Sequence, residues 1–80
     1  MRLPKENKLY WQNQLKELEF NLVDNYPAAW RVEFGKRDSR GAFHITIFNK
    51  LNEFVRNIYS FDTSKELLAF AHGYNQAIRG

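Results

Sequence analysis

The spacing of hydrophobic positions changes twice along this chain of 80 residues. Between Lys5 and Asn25 the apolar residues Trp11, Leu15, Leu18 and Leu22 recur every three or four positions, with Gln14, Lys16, Glu17 and Glu19 between them. That is the stripe of an amphipathic helix. Pro4 suits its first turn, where a missing N–H costs nothing, and Asn25-Tyr26-Pro27 ends it, because a residue before proline avoids helical dihedrals. Leu9, Tyr10, Phe20 and Val23 on its flanks add more apolar surface than one stripe needs, which leaves some for a partner.

From Trp30 to Asn49 the period becomes two. Trp30, Val32 and Phe34 alternate with Arg31, Glu33 and Gly35, and Phe43, Ile45 and Ile47 alternate with His44, Thr46 and Phe48, as in half-buried strands. The basic stretch Lys36-Arg37-Asp38-Ser39-Arg40-Gly41 lies between them, and Asp38, Ser39, Gly35 and Gly41 supply turn chemistry. The prediction is a hairpin. Lys50 to Phe61 satisfies two patterns: Leu51, Phe54, Val55, Ile58 and Tyr59 fit a helix, whereas Val55, Asn57, Tyr59 and Phe61 fit a strand. The strand is preferred, since a two-stranded hairpin is marginal in water and the residues are largely β-branched or aromatic.

Thr63-Ser64-Lys65-Glu66 reads as a capping box. The Thr63 hydroxyl accepts from the Glu66 N–H, and the Glu66 carboxylate reaches back to the Thr63 N–H. The helix it opens buries Leu67, Phe70, Ala71, Tyr74 and Ile78, with Ala77 beside them, and runs nearly to Gly80. Gly73 in mid-helix costs about 1 kcal/mol relative to alanine, which implies close approach of a neighbouring element.

These elements define an α+β fold over residues 1–80, a single domain of order helix, three antiparallel strands, helix. Both helices pack on the sheet face of Trp30, Val32, Phe34, Phe43, Ile45, Ile47, Tyr59 and Phe61. The other face is expected to stay open, carrying Arg31, Glu33, His44, Thr46, Phe48, Phe54, Arg56 and Ile58, a mixed surface of the kind used in recognition.

Composition narrows the picture. A chain this short supports one core. With 7 Phe, 4 Tyr and 2 Trp, that core needs no staple, and with 0 Cys neither a disulfide framework nor a thiolate metal site is available. The amino terminus lacks the apolar run of a secretory signal and no stretch approaches a membrane span, so a soluble, cytoplasmic protein without a membrane partner is expected.

The net charge of +3 is unevenly placed. Cations and carboxylates balance through Pro27 and again after Phe61, whereas between them Arg31, Lys36, Arg37, Arg40, Lys50 and Arg56 face only Glu33, Asp38 and Glu53. Such a patch attracts phosphate or an acidic protein surface, or simply keeps a turn solvated.

Candidate chemistry is sparse. His44 and His72 are isolated in sequence, with no nucleophile elbow, no metal-ligand spacing and no Gly-rich phosphate loop. The expectation is a protein without cofactor, metal or catalysis.

The element order resembles that of double-stranded RNA-binding domains, whose contacts come from the first helix, the first hairpin loop and lysines opening the last helix. Here Lys36, Arg37 and Arg40 match the loop, while Lys65 and Glu66 beside Asp62 stand where the lysine cluster belongs. The segment Ile58-Tyr59-Ser60-Phe61-Asp62-Thr63-Ser64-Lys65-Glu66-Leu67-Leu68-Ala69-Phe70-Ala71-His72-Gly73-Tyr74 is similar to the tails of small phage- and prophage-encoded accessory proteins, among them anti-CRISPR inhibitors. That resemblance implies a non-catalytic inhibitor that occupies a surface of a larger host complex.

The residues expected to contact a partner are Arg31, Lys36, Arg37, Arg40, His44, Phe48 and Arg56. The partner is expected to be a protein or nucleoprotein complex, with nucleic acid as the alternative, and the chain to act as a monomer or homodimer.

Overall fold

The computed structural model describes residues 3–80, apart from the side chains of Lys36 and Arg37, which lie outside the described residues. Helix α1 (Lys8–Asn25) is followed by strands β1 (Arg31–Arg37), β2 (Phe43–Phe48) and β3 (Phe54–Phe61), then helix α2 (Ser64–Arg79). The strands form one antiparallel sheet in the order β1-β2-β3. The expected α+β fold is therefore present, and the segment with two possible periods is a strand.

The core lies between the sheet and both helices. Leu18 and Leu22 of α1 and Leu67 and Ala71 of α2 meet Val32, Ile45 and Ile47, all nearly or fully excluded from solvent. Complete burial of one such aliphatic side chain is worth about 1.5–3 kcal/mol, so this cluster holds both helices to one face. The result is a slab of 35 × 35 × 18 Å.

The seam between the helices is polar instead. Asn21 Nδ2 donates to Asn75 Oδ1 at 3.0 Å, and Asn75 Nδ2 donates to the Gln14 carbonyl at 2.9 Å and to Gln14 Oε1 at 3.1 Å. Arg79 pairs with Glu17, and Asn25 Nδ2 donates to the Tyr74 hydroxyl. No buried side-chain polar atom lacks a partner among the described residues, so the seam orients α1 against α2 without an unmet desolvation cost.

Several expectations are corrected by the packing. Helix α1 starts at Lys8 after Asn7 at φ 60°, so Pro4 precedes the helix rather than occupying its first turn. In α2, Leu68 and Asn75 are buried while Ile78 is half exposed, because α1 covers the helix from the side. Gly73 would meet nothing within 4 Å if it carried a Cβ, so no close approach explains it. The Thr63 hydroxyl does accept from the Glu66 N–H at 3.2 Å, but Glu66 Oε1 faces that same hydroxyl at 3.4 Å rather than the Thr63 N–H.

Bulges rewrite the sheet's alternation. The β2–β3 register slips at Ile58 and Val55, so Asn57 pairs with Thr46 and Arg56 pairs with Ile47. Val55 and Ile58 both pack toward the core. The slips kink the exposed edge strand, a device that discourages pairing with another chain. On the opposite edge, the Val32 N–H donates to Glu19 Oε2 of α1 at 3.0 Å.

Candidate functional site

The face turned away from the helices is bounded by two turns of the same construction. In the β1–β2 connection, the Asp38 N–H donates to the Ala42 carbonyl and the Gly41 N–H to the Asp38 carbonyl, with Gly41 at φ 86°. In the β2–β3 connection, the Asn49 N–H donates to the Glu53 carbonyl and the Asn52 N–H to the Asn49 carbonyl, with Asn52 at φ 62°. Each is a three-residue hairpin loop closed by a left-handed residue, a conformation that Gly and Asn tolerate best.

Even the side-chain caps match. Asp38 Oδ1 accepts from the N–H groups of Arg40 and Ala42 at 2.8 and 3.0 Å, and Asn49 Oδ1 accepts from those of Leu51 and Glu53 at 3.0 and 2.9 Å. These are Asx caps, which let a short polar side chain replace missing ladder partners.

Their surroundings differ completely. At the first turn, Asp38 Oδ2 is 2.9 Å from His44 Nε2, and His44 Nδ1 is 2.7 Å from Ser60 Oγ. The His44 hydrogen bond, joined by those from the Ala42 and Arg40 amides, holds the Asp38 carboxyl below its ordinary value of 3.8. Beside this relay is a shallow cavity of about 380 Å³ whose rim includes Arg40 and Asp62. Arg40 is exposed, and its guanidinium has no hydrogen-bonding partner among the described residues.

At the second turn the surface is aromatic. Phe48 and Phe54 pair across the strands with ring centroids 6.5 Å apart, edge to face. The Arg31 guanidinium lies 4.2 Å over the Phe48 ring, and Lys50 Nζ lies 5.7 Å from the Trp30 ring. Trp30 is 62% exposed, Phe54 58% and Leu51 78%. Arg31 is itself held in place: it pairs with Glu33 and donates to Asn52 Oδ1 from Nε at 3.0 Å and from Nη2 at 2.7 Å. Between the two ends, fully buried Thr46 donates to Asn57 Oδ1 at 2.7 Å and seals the middle of the face.

The expected contact residues are thus divided. Arg31 and Phe48 lie at the aromatic end, and Arg40 and His44 at the polar end. The side chains of Lys36 and Arg37 are outside the described residues, although the backbone register pairs Lys36 with His44 and Arg37 with Phe43. Arg56 is a correction. The bulge at Ile58 places it opposite Ile47, and its guanidinium lies 5.6 Å from the ring of Tyr26 on the helix side of the sheet. Tyr26 also meets the Tyr59 hydroxyl, a contact that with burial pushes the Tyr59 phenol up to about 12.

Trp30 is the second correction. The strand begins one residue later, the Trp30 N–H donates to the Phe48 carbonyl, and Ala29 takes the core position that alternation assigns to Trp30. Ser60 and Asp38 were missed as partners of His44. Asp38 ahead of Ser39-Arg40-Gly41 is a recognisable Asx-turn signal, whereas the pairing of Ser60 with His44 depends on strand register.

Among the described residues no cluster of three or more metal-ligating side chains occurs, and no helix is long and apolar enough to cross a membrane. No family model matches the chain, and no match is found among curated proteins or solved structures.

Proposed function

We propose that this protein acts without catalysis, holding a protein partner at the end of its sheet where Trp30, Phe48, Leu51 and Phe54 lie around the β2–β3 turn. The observation that carries this reading is the exposure of two large aromatics, Trp30 and Phe54, at the same end of the sheet as the cation-stacked Phe48. Large aromatics and arginine dominate the energetics of protein interfaces, where they fill pockets on a partner. The local charge supports a protein over a polyphosphate: Arg31 and Lys50 are offset by Glu33 and Glu53, so this end lacks the cationic excess that drives nucleic-acid binding.

The polar end supports the same reading. Asp38, His44 and Ser60 stand in the order of an orienting carboxylate, base and hydroxyl, yet the loop N–H groups of Arg40, Gly41 and Ala42 are all spent on Asp38. None is left to stabilise a developing oxyanion. In its finer form, the proposal is a phage-type inhibitor of the anti-CRISPR kind, which works in the host cytoplasm by covering part of a larger complex.

Affinity capture from host extract tests the proposal. Capture of a protein should survive roughly 0.3 M salt, where exposed charges are well screened, and should be lost when Trp30 and Phe54 become alanine. Capture that instead vanishes with salt and with Arg40→Ala, bringing RNA or DNA with it, would establish the nucleic-acid alternative.

A further inference from the structure

A second concave surface lies away from the sheet, between the chain leading into α1 and the first turns of α2. It is a groove of about 780 Å³ whose walls include Leu3, Trp11, Leu68 and Ala69, with Lys5 and Lys65 also lining it. Its size is within the range of small-molecule sites, which combine an apolar body with a few polar groups. The walls are built by ordinary helix periodicity, since Lys65, Leu68 and Ala69 fall on one stripe of α2. Trp11 is set by its neighbour: the Tyr10 ring packs edge-on against it at 5.0 Å, and the Tyr10 hydroxyl is 2.6 Å from His72 Nδ1.

Charge selects the occupant. Among the described residues no carboxylate lines the groove. Among the described residues neither Lys5 nor Lys65 makes an ion pair. The α2 wall spans only Ser64 to Ala69, roughly 8 Å of helix, too short a track for a docked peptide helix. We infer that this groove binds a small amphipathic anion, a medium-chain carboxylate whose hydrocarbon lies against Trp11 and Leu68 while its head group meets Lys5 and Lys65. The inference does not depend on the sheet face.

Trp11 reports on occupancy. In a Trp30→Phe background Trp11 is the sole tryptophan, and titration with decanoate below its micellar range should change its emission saturably. Ala69 is exposed, so Ala69→Phe fills the groove without touching the core and should weaken binding at least tenfold, with circular dichroism confirming the fold. Lys5→Gln and Lys65→Gln should each weaken decanoate roughly fivefold, as for an exposed ion pair, and leave decanol unchanged. Decyltrimethylammonium should bind more weakly than either. A non-saturable response, equal affinity for decanol and decanoate, or decanoate binding that persists in folded Ala69→Phe would overturn the inference.

Discussion

The two hairpin turns have the same backbone and opposite uses. Both close three-residue loops with a left-handed residue, and both are capped by an Asx side chain that accepts two loop amides. Around Asp38, the side chains of His44 and Ser60 are drawn into its hydrogen-bond chain. Around Asn49 the turn instead presents Lys50 and Leu51 beside Trp30, Phe48 and Phe54. The stability of a turn therefore says little about its role. What separates the two is whether neighbouring strands leave large apolar groups uncovered, because such groups gain most from a partner.

The largest expected effect falls on the aromatic end. Replacing Trp30 and Phe54 together with alanine should reduce affinity for the captured partner by about 2 kcal/mol or more, roughly 30-fold. The melting temperature should barely move, because both side chains are mostly exposed in the free protein. A large fall in melting temperature would show instead that the pair is structural, and the contrast between the turns would collapse.

The shared backbone can be broken at its left-handed positions. Gly41→Ala should cost about 1 kcal/mol in denaturant unfolding, from the steric penalty of a Cβ at positive φ. Gly41→Asn should cost much less, because Asn already holds the equivalent place at position 52. Equal costs would mean that the two turns are not alike.

A smaller effect is expected from Arg31→Ala, which removes the cation over Phe48 and the two bonds to Asn52. Arg31 is more than a third exposed, so after allowance for solvent screening the loss should be roughly 0.5–1 kcal/mol, read as a fewfold weaker partner affinity. No change would show that Arg31 does not organise the aromatic end.

The smallest and most local effect concerns acid. Because Asp38 titrates below its ordinary value in the folded protein, the unfolded chain takes up this proton first as pH falls. The stabilisation is complete above about pH 4 and is lost as the pH drops through the lower folded-state value. Hydrogen exchange at the Arg40 and Ala42 amides should follow that loss. Asp38→Asn should keep those amides protected while removing this acid response, since it reproduces the cap of Asn49, and Asp38→Ala should lose protection at every pH. Partner capture should be unaffected by either. Loss of capture with Asp38→Asn would move function to the polar end.

Local pattern reached a long way into this molecule. The stripe from Leu15 to Leu22, the alternation from Val32 to Ile47 and the Thr63 cap each report a local physical requirement, so helix, hairpin and helix were legible from the residues. The open sheet face was also legible, with Arg31, His44 and Phe48 correctly placed on it. The misplacement of Arg56 has its cause in strand pairing. A bulge adds a residue to one strand and reverses the side chains between it and the next slip, and nothing local in Asn57-Ile58-Tyr59 announces it. That single shift carried Arg56 to the helix side.

By itself, then, the amino-acid order determined which elements form and that one sheet face escapes the helices, because periodicity and capping act over a few residues. Tertiary structure alone decided where Trp30 goes, which turn is spent on its own hydrogen bonds, and that Trp11 and Leu68 line a groove with Lys5 and Lys65. Those outcomes depend on strand register and helix placement, and both are settled by contacts between residues far apart in the chain.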